Sequence, residues 1–198
     1  MKLMSPNHLK PLKKSDLIKV AEIHQKAFPD SILTLFGTSS IAKYYDWQMI
    51  PPNQCEAIGV FDGDTLLGYC FAGAFRNAEI YFIEENIFFF INQIMRHPLI
   101  ICNKRLWKRV KNAVINFTQH LFEGKWKRTK KEQVNSDRFG ILSIAVIPDV
   151  QHSGVGRALM TEVEKLAVVK GHKILRLNVH PDNQQAVLFY ERLGWVKI

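Results

Sequence analysis

The stretch Phe139-Gly140-Ile141-Leu142-Ser143-Ile144-Ala145-Val146-Ile147-Pro148-Asp149-Val150-Gln151-His152-Ser153-Gly154-Val155-Gly156-Arg157-Ala158 decides the fold. Its first half is a continuous apolar run of strand length stopped by Pro148, the pattern of a strand buried on both faces. Arg157 to Val169 then places Leu159, Val163 and Leu166 on one helical stripe, closed by Gly171. Between strand and helix lies a loop with Gly154 and Gly156. A glycine loop that opens a helix aims backbone N–H groups and the positive end of the helix dipole at one spot. Glycine lets the backbone approach an anion closely and supplies positive φ where a loop requires it. A pyrophosphate is the natural guest.

Downstream, Ile174 to His180 alternates Leu175, Leu177 and Val179 with Arg176, Asn178 and His180, which predicts a strand with one polar-bearing face. Asn183 to Leu193 reads as a helix, with Asn183 as N-cap and Gly194 as its stop. Two common pyrophosphate motifs fail on the residues: the dinucleotide fingerprint needs glycine where Leu159 stands, and GxxxxGK[ST] occurs nowhere. The loop instead resembles the QxxGxG signature of the GNAT superfamily of acyl-CoA N-acyltransferases, carried here by Gln151, Gly154 and Gly156. The strand LNVHPDN and the helix AVLFYERLGW, with Asn183, Tyr190 and Gly194 at matching spacing, extend the resemblance over residues 139 to 196. Bacterial ribosomal-protein N-terminal acetyltransferases are the nearest lookalikes.

The resemblance implies a single α/β domain with a mixed, mostly antiparallel, splayed sheet and helices on both faces. It implies acetyl-CoA as cofactor. Backbone groups of Ile144, Ala145 and Val146 would pair with the pantetheine arm, and Gln151, His152, Ser153, Gly154, Val155, Gly156, Arg157 and Ala158 would hold the pyrophosphate. Asn183 would contact the cofactor, and Tyr190 would give a proton to the departing thiolate. Independently of any family, a phenol suits that task, although a lone tyrosine on a helix is more often a packing residue.

Direct transfer needs a neutral amine, so a base or water chain must take a proton. The lookalikes carry a glutamate on the second strand where this chain has Asn178. His180, two residues on and on the same face, titrates in the useful range and is the candidate base. Glu79, Glu84 and Glu85 are further candidates, each more often a surface carboxylate. A weakly basic amine, such as one on a sugar, demands less of a base. The expected acceptor is therefore a small-molecule amine, an amino sugar or nucleotide-linked sugar.

Around this core, composition is ordinary for a globular chain: 198 residues, 47% hydrophobic and 23% charged. The net charge of +9 concentrates in residues 103 to 133, where ten Lys or Arg face Glu123 and Glu132. Such a segment attracts phosphates, nucleic acid or an anionic membrane, or is a solvated face. A nucleic-acid-binding module rests on that segment with Trp107 and Trp126 alone and leaves the Gln151 loop unused, so no nucleic-acid partner is expected. Protein N-terminal or lysine acetylation, and a non-catalytic acyl-CoA sensor, are also compatible with the sequence. The three cysteines form no CxxC pair and the histidines no ligand spacing, so no metal is expected.

The start MKLMSPNHLKPLKK lacks the apolar core of a secretory signal, and no stretch is apolar enough to span a bilayer, which points to the cytoplasm. Residues 15 to 28 predict an amphipathic helix with Leu17, Val20, Ala21, His24 and Phe28 inward. Residues 57 to 61 and 66 to 74 form a predicted hairpin around Asp62-Gly63-Asp64. A Phe-rich and basic insertion is expected at about 78 to 137: a buried or substrate-covering helix within Ile80 to Ile101, a helix from Trp107 to Phe122, then a charged loop. Membrane-surface contact through Phe88, Phe89 and Phe90 is a minority reading. Chains of the family it resembles continue past the last helix into two more strands, whereas this one stops at Ile198: the fold is curtailed, a partner chain fills the edge or the sequence is truncated, and an open edge would predict a homodimer.

Overall fold

The hairpin forms because two apolar, β-branched and aromatic runs flank Gly63, whose φ of 57° serves the tight turn between them. Its strands are β2 (Glu56–Asp62) and β3 (Thr65–Ala74). The computed structural model describes residues 9–51, 53–74, 82, 85–96 and 139–198. Most of the expected 78 to 137 insertion, including the Trp107 helix and the charged loop, lies outside the described residues.

The chain divides into two compact units. One comprises Met1–Pro11, Glu56–Phe75 and Ser136–Ile198, the other Leu12–Cys55 and Arg76–Asn135. The first holds a five-stranded sheet in the order β1 (Leu9–Pro11), β2, β3, β4 (Phe139–Val146), β5 (Leu175–Leu177). All neighbours are antiparallel except β4 and β5, which run parallel. Among its helices are α5 (Val155–Val169) and α6 (Gln184–Arg192). Leu159, Met160, Val163 and Ala167 of α5 pack on Ile58, Val60, Cys70, Ala72, Phe139 and Ile141 of the sheet, forming the core. Each of the larger ones, such as Leu159, Val163 and Ile141, stabilises the folded state by about 1.5–3 kcal/mol through burial.

The second unit contains α1 (Leu17–Ala27), α2 (Ile32–Leu35), α3 (Thr38–Met49) and α4 (Ile87–Arg96). Leu17, Val20, Ala21 and His24 of α1 are buried as the periodicity predicts, Ile23 joins them, and Phe28 is only half-buried at the C-cap. Ser31 caps α2, its side chain accepting from the Leu33 amide. Aromatic rings fill the interior: Tyr44 lies 5.2 Å from Phe82, and Phe90 lies 4.8 Å from Phe36 and 5.6 Å from Phe82. Of the phenylalanine triplet, Phe90 is inside and Phe88 is 84% exposed.

Two strand expectations need correction. The strand read as Ile174 to His180 pairs only at Phe139↔Leu175, Gly140↔Arg176 and Ile141↔Leu177. The apolar run of β4 is not buried along its whole length either: Phe139, Gly140 and Ile141 are buried, whereas Leu142, Ser143, Ile144 and Val146 are only partly so. Both have one cause. Against β3, Ala72 pairs with Ile141 and Phe71 with Ser143, so Leu142 is an extra, bulged residue. Past it β4 stays on β3, through Tyr69↔Ala145 and Gly68↔Val146, while β5 pairs no further.

Candidate active site

The site lies where β4 and β5 part. Beyond Ile141 and Leu177, the backbone of Ile144 to Val146 has no strand partner on its β5 side among the described residues. Ile144, Val146, Leu177, Phe189 and Tyr190 all pack against the α5 side of the core.

At the end of β4 the Ile147 amide donates to the Leu67 carbonyl at 2.9 Å, and a turn of 3-10 helix over Pro148–Val150 redirects the chain. Ser153 Oγ donates to the Val150 carbonyl at 2.6 Å. His152 has φ 63° and Gly154 φ 94°. These turns deliver Gly154 as N-cap of α5 with no side-chain capping bond and no acidic residue in the first turn. The first intrahelical bond after the cap runs from Ala158 to Gly154, so the Val155, Gly156 and Arg157 amides precede the ladder. An uncapped helix start with Arg157 exposed beside it fits a pyrophosphate. The glycines fit it too. Gly154 meets nothing within 4 Å and serves by its positive φ, while a Cβ on Gly156 would stand 3.2 Å from Phe189 Cζ.

Phe189 is thus one residue that sequence reasoning missed; it brings α6 against the start of α5. Gln185, one turn earlier, places its Nε2 3.4 Å from His152 Nε2. Gly68 is another: a Cβ there would lie 2.9 Å from the Ala145 carbonyl oxygen and 3.0 Å from Val155 Cγ1. An isolated glycine in a strand pattern is the available signal for such an approach.

Asn183 caps α6, its side-chain oxygen accepting from the Ala186 amide at 3.2 Å. Tyr190 follows two turns along, its ring 6.1 Å from Trp195 and 5.2 Å from Phe189. Burial, with a smaller contribution from the neighbouring Cys70 thiol, pushes its hydroxyl up to about 12. Tyr190 therefore keeps its hydroxyl proton through neutral and moderately alkaline pH.

His180 and Asn178 are exposed on the other side of the splay. The Asp182 amide donates to His180 Nδ1 at 3.3 Å, with the Asp182 carboxylate 3.4 Å from the same nitrogen. Glu85 belongs to the other unit and accepts from Trp47 Nε1 at 2.7 Å; Glu79 and Glu84 lie outside the described residues. Among the described residues no group of three or more His, Cys, Asp or Glu could hold a metal, and no helix is long and apolar enough to cross a membrane.

The parallel strand pair splayed at a bulge, the uncapped glycine loop and the tyrosine-bearing helix thus lie together in one unit. The family model described as acetyltransferase (GNAT) family matches residues 113–195 of the chain. Enzymes of this family use acetyl-CoA. Among solved structures, the ribosomal-protein-S18-alanine N-acetyltransferase from Escherichia coli aligns at 16% identity and TM-score 0.52, over 94% of this chain and 75% of that one. The ribosomal-protein-alanine N-acetyltransferase from Brucella melitensis aligns at 12% and 0.56, over 94% and 82%. The aminoglycoside N-acetyltransferase AAC(6')-Iy in complex with CoA aligns at 11% and 0.56, over 96% and 87%. No curated protein sequence matches the chain.

Proposed function

We propose that the chain transfers the acetyl group of acetyl-CoA directly to a primary amine on a small molecule, an amino sugar or nucleotide-linked sugar. The observation that carries the transfer reading is the uncapped start of α5 beside the splay of β4 from β5. An anion held at one leads an extended arm into the other. When bound, acetyl-CoA supplies an acyl carbon activated toward attack by its thioester linkage.

The chain's own residues would act as follows. The amides from Gln151 to Ala158 bind the pyrophosphate, and Arg157 adds a cation that stays charged. Backbone groups of Ile144, Ala145 and Val146 align the arm in extended form along β4. Asn183 fixes the start of α6 and, through it, Tyr190, which holds a proton at its hydroxyl for the sulfur as it departs. His180 is the titratable side chain proposed to take the amine's proton.

Two features favour a small acceptor. Asn178 stands where the peptide-acetylating lookalikes carry a glutamate, and an amide accepts no proton. A solved neighbour of similar fold acts on aminoglycosides, which bear amino sugars. Coenzyme A release should be measured with glucosamine, a nucleotide-linked amino sugar and a peptide with a free N-terminal alanine. Turnover of the sugars supports the reading. Turnover of the peptide alone replaces the acceptor, and CoA binding without turnover of any amine replaces the reaction.

A further inference from the structure

We propose, independently of the transfer reading above, that residues 48–55 form a strap poised to open as one piece while the rest of their unit stays folded, and that opening releases the Gln48 carboxamide into water. On α3, Ser40, Ile41, Tyr44, Tyr45 and Gln48 are buried. Buried polar groups in folded proteins are hydrogen-bonded. Ser40 and Tyr45 obey this: Ser40 Oγ donates to the Phe36 carbonyl at 2.9 Å, and Tyr45 Oη lies 2.8 Å from His24 Nδ1. Gln48 departs from it. The residue is 1% exposed, and its Nε2 and Oε1 are both shut from solvent with no hydrogen-bond partner among the described residues. Closing the strap therefore strips this amide of its bonds to water and returns none.

The chain that follows carries two further costs. After α3 it folds back on the last helical turn. The Asn53 and Gln54 amides donate to the Ile50 carbonyl at 3.0 and 3.2 Å, the Cys55 amide to the Gln48 carbonyl at 3.0 Å, and Asn53 Nδ2 to the Trp47 carbonyl at 2.8 Å. Asn53 Oδ1 is likewise shut from solvent and unpaired among the described residues. Gln54 takes φ 42°, in the left-handed region that a residue with a Cβ enters at a cost. Little apolar burial offsets this, since Ile50, Pro51 and Gln54 are exposed. Past Cys55 the chain enters β2, so the strap is also the stretch by which it leaves one unit for the other.

The balance favours local opening. Each hydrogen bond that closes the strap is replaced by one to water when it opens, so its loss costs little net. Gln48 Nε2, Gln48 Oε1 and Asn53 Oδ1 gain bonds that the closed form lacks, and Gln54 becomes free to leave the left-handed region. Because Gln48 stands in the last turn of α3, unwinding that turn carries its side chain out with the strap. Residues 48–55 thus belong to the low end of local stability, from which gates and hinges are drawn.

Native-state hydrogen exchange on the full chain tests this. The Asn53, Gln54 and Cys55 amides should exchange through a local opening that leaves the Tyr44 and Tyr45 amides at least about tenfold better protected. Gln48→Met keeps the length of the side chain and removes both unpaired atoms, so opening no longer gains their hydration. Strap exchange should then slow at least about fivefold, and the melting temperature should rise by about 2–4 °C. Gln48→Leu, a second apolar replacement, should act in the same direction. Gln48→Glu places a charge in the closed form and should speed strap exchange at least about tenfold, while the Val20 and Ala21 amides of α1 stay protected. Strap amides that exchange only as fast as those of Tyr44 and Tyr45 would show that no local opening exists, which overturns the proposal. Unchanged strap exchange or a lower melting temperature in both Gln48→Met and Gln48→Leu would overturn it too, because the carboxamide would then stabilise the closed form.

Discussion

Replacing Gly68 with alanine tests whether the approach of β3, β4 and the start of α5 is as tight as described. The new methyl would lie 2.9 Å from the Ala145 carbonyl oxygen, 3.0 Å from Val155 Cγ1 and 3.2 Å from Val146 Cγ2. None of the three yields easily. The carbonyl belongs to a strand held by the β3 ladder, and Val155 is buried and β-branched, with one favoured rotamer in a helix. Gly68 is not among the positive-φ glycines, so alanine adopts its backbone conformation and gains about 0.4–1 kcal/mol from a less flexible unfolded chain. Overpacking costs about 1–3 kcal/mol and exceeds that gain. A net loss of about 1–2 kcal/mol corresponds to a melting temperature about 2–8 °C lower for a chain of this size. Because Val155 opens the helix proposed to hold the pyrophosphate, its displacement should also weaken CoA binding several-fold by titration calorimetry. A variant that melts at or above the wild-type temperature and binds CoA equally well refutes the packing argument.

Other outcomes follow from single groups. Tyr190→Phe keeps the ring and removes the proposed proton donor, so kcat should fall by about 10²-fold or more with little change in acetyl-CoA KM. With the Tyr190 hydroxyl at about 12, its neutral form persists through pH 10, and its contribution to stability is lost only as pH rises from 10 toward 12. His24 is buried, with Nδ1 2.8 Å from Tyr45 Oη and Nε2 3.2 Å from Ser31 Oγ, and burial lowers it to about 4. The folded state thus favours the neutral ring, and stability should fall by on the order of 3 kcal/mol as pH drops from about 6.5 to about 4. Urea midpoints across that range should show the loss, and His24→Gln should flatten it. Leu159→Ala, at a fully buried core position, should cost about 2–5 kcal/mol by chemical denaturation.

The local geometry of the proposed cofactor half was legible because its signals are local. Pro148 ends a strand, Gly154 needs a left-handed φ, and Asn183 caps a helix two turns before Tyr190; each acts within a few residues of itself. The same holds for α1 and the hairpin. What stayed hidden depends on partners distant in sequence. The apolar run of β4 carries no mark of the bulge, since Leu142 looks like its neighbours, and β5 ends early only because β4 turns away. Gly68 and Phe189 matter through the atoms opposite them. Helix α3, rich in Tyr and Trp, has weak periodicity and begins at Gly37 with no side-chain cap, so neither of its ends nor its face announces itself.

The Leu142 bulge bears on how this strand tolerates genetic change. Removing that one residue would restore strict alternation with Ile141, Ile144 and Val146 still inward and Ser143 and Ala145 still outward, so no side chain would change face. A deletion there should therefore be tolerated by the core and be felt in the bend that parts β4 from β5, which a substitution at the same position leaves in place. On this strand, chain length is itself a heritable instruction, separable from the identity of the amino acid that supplies it.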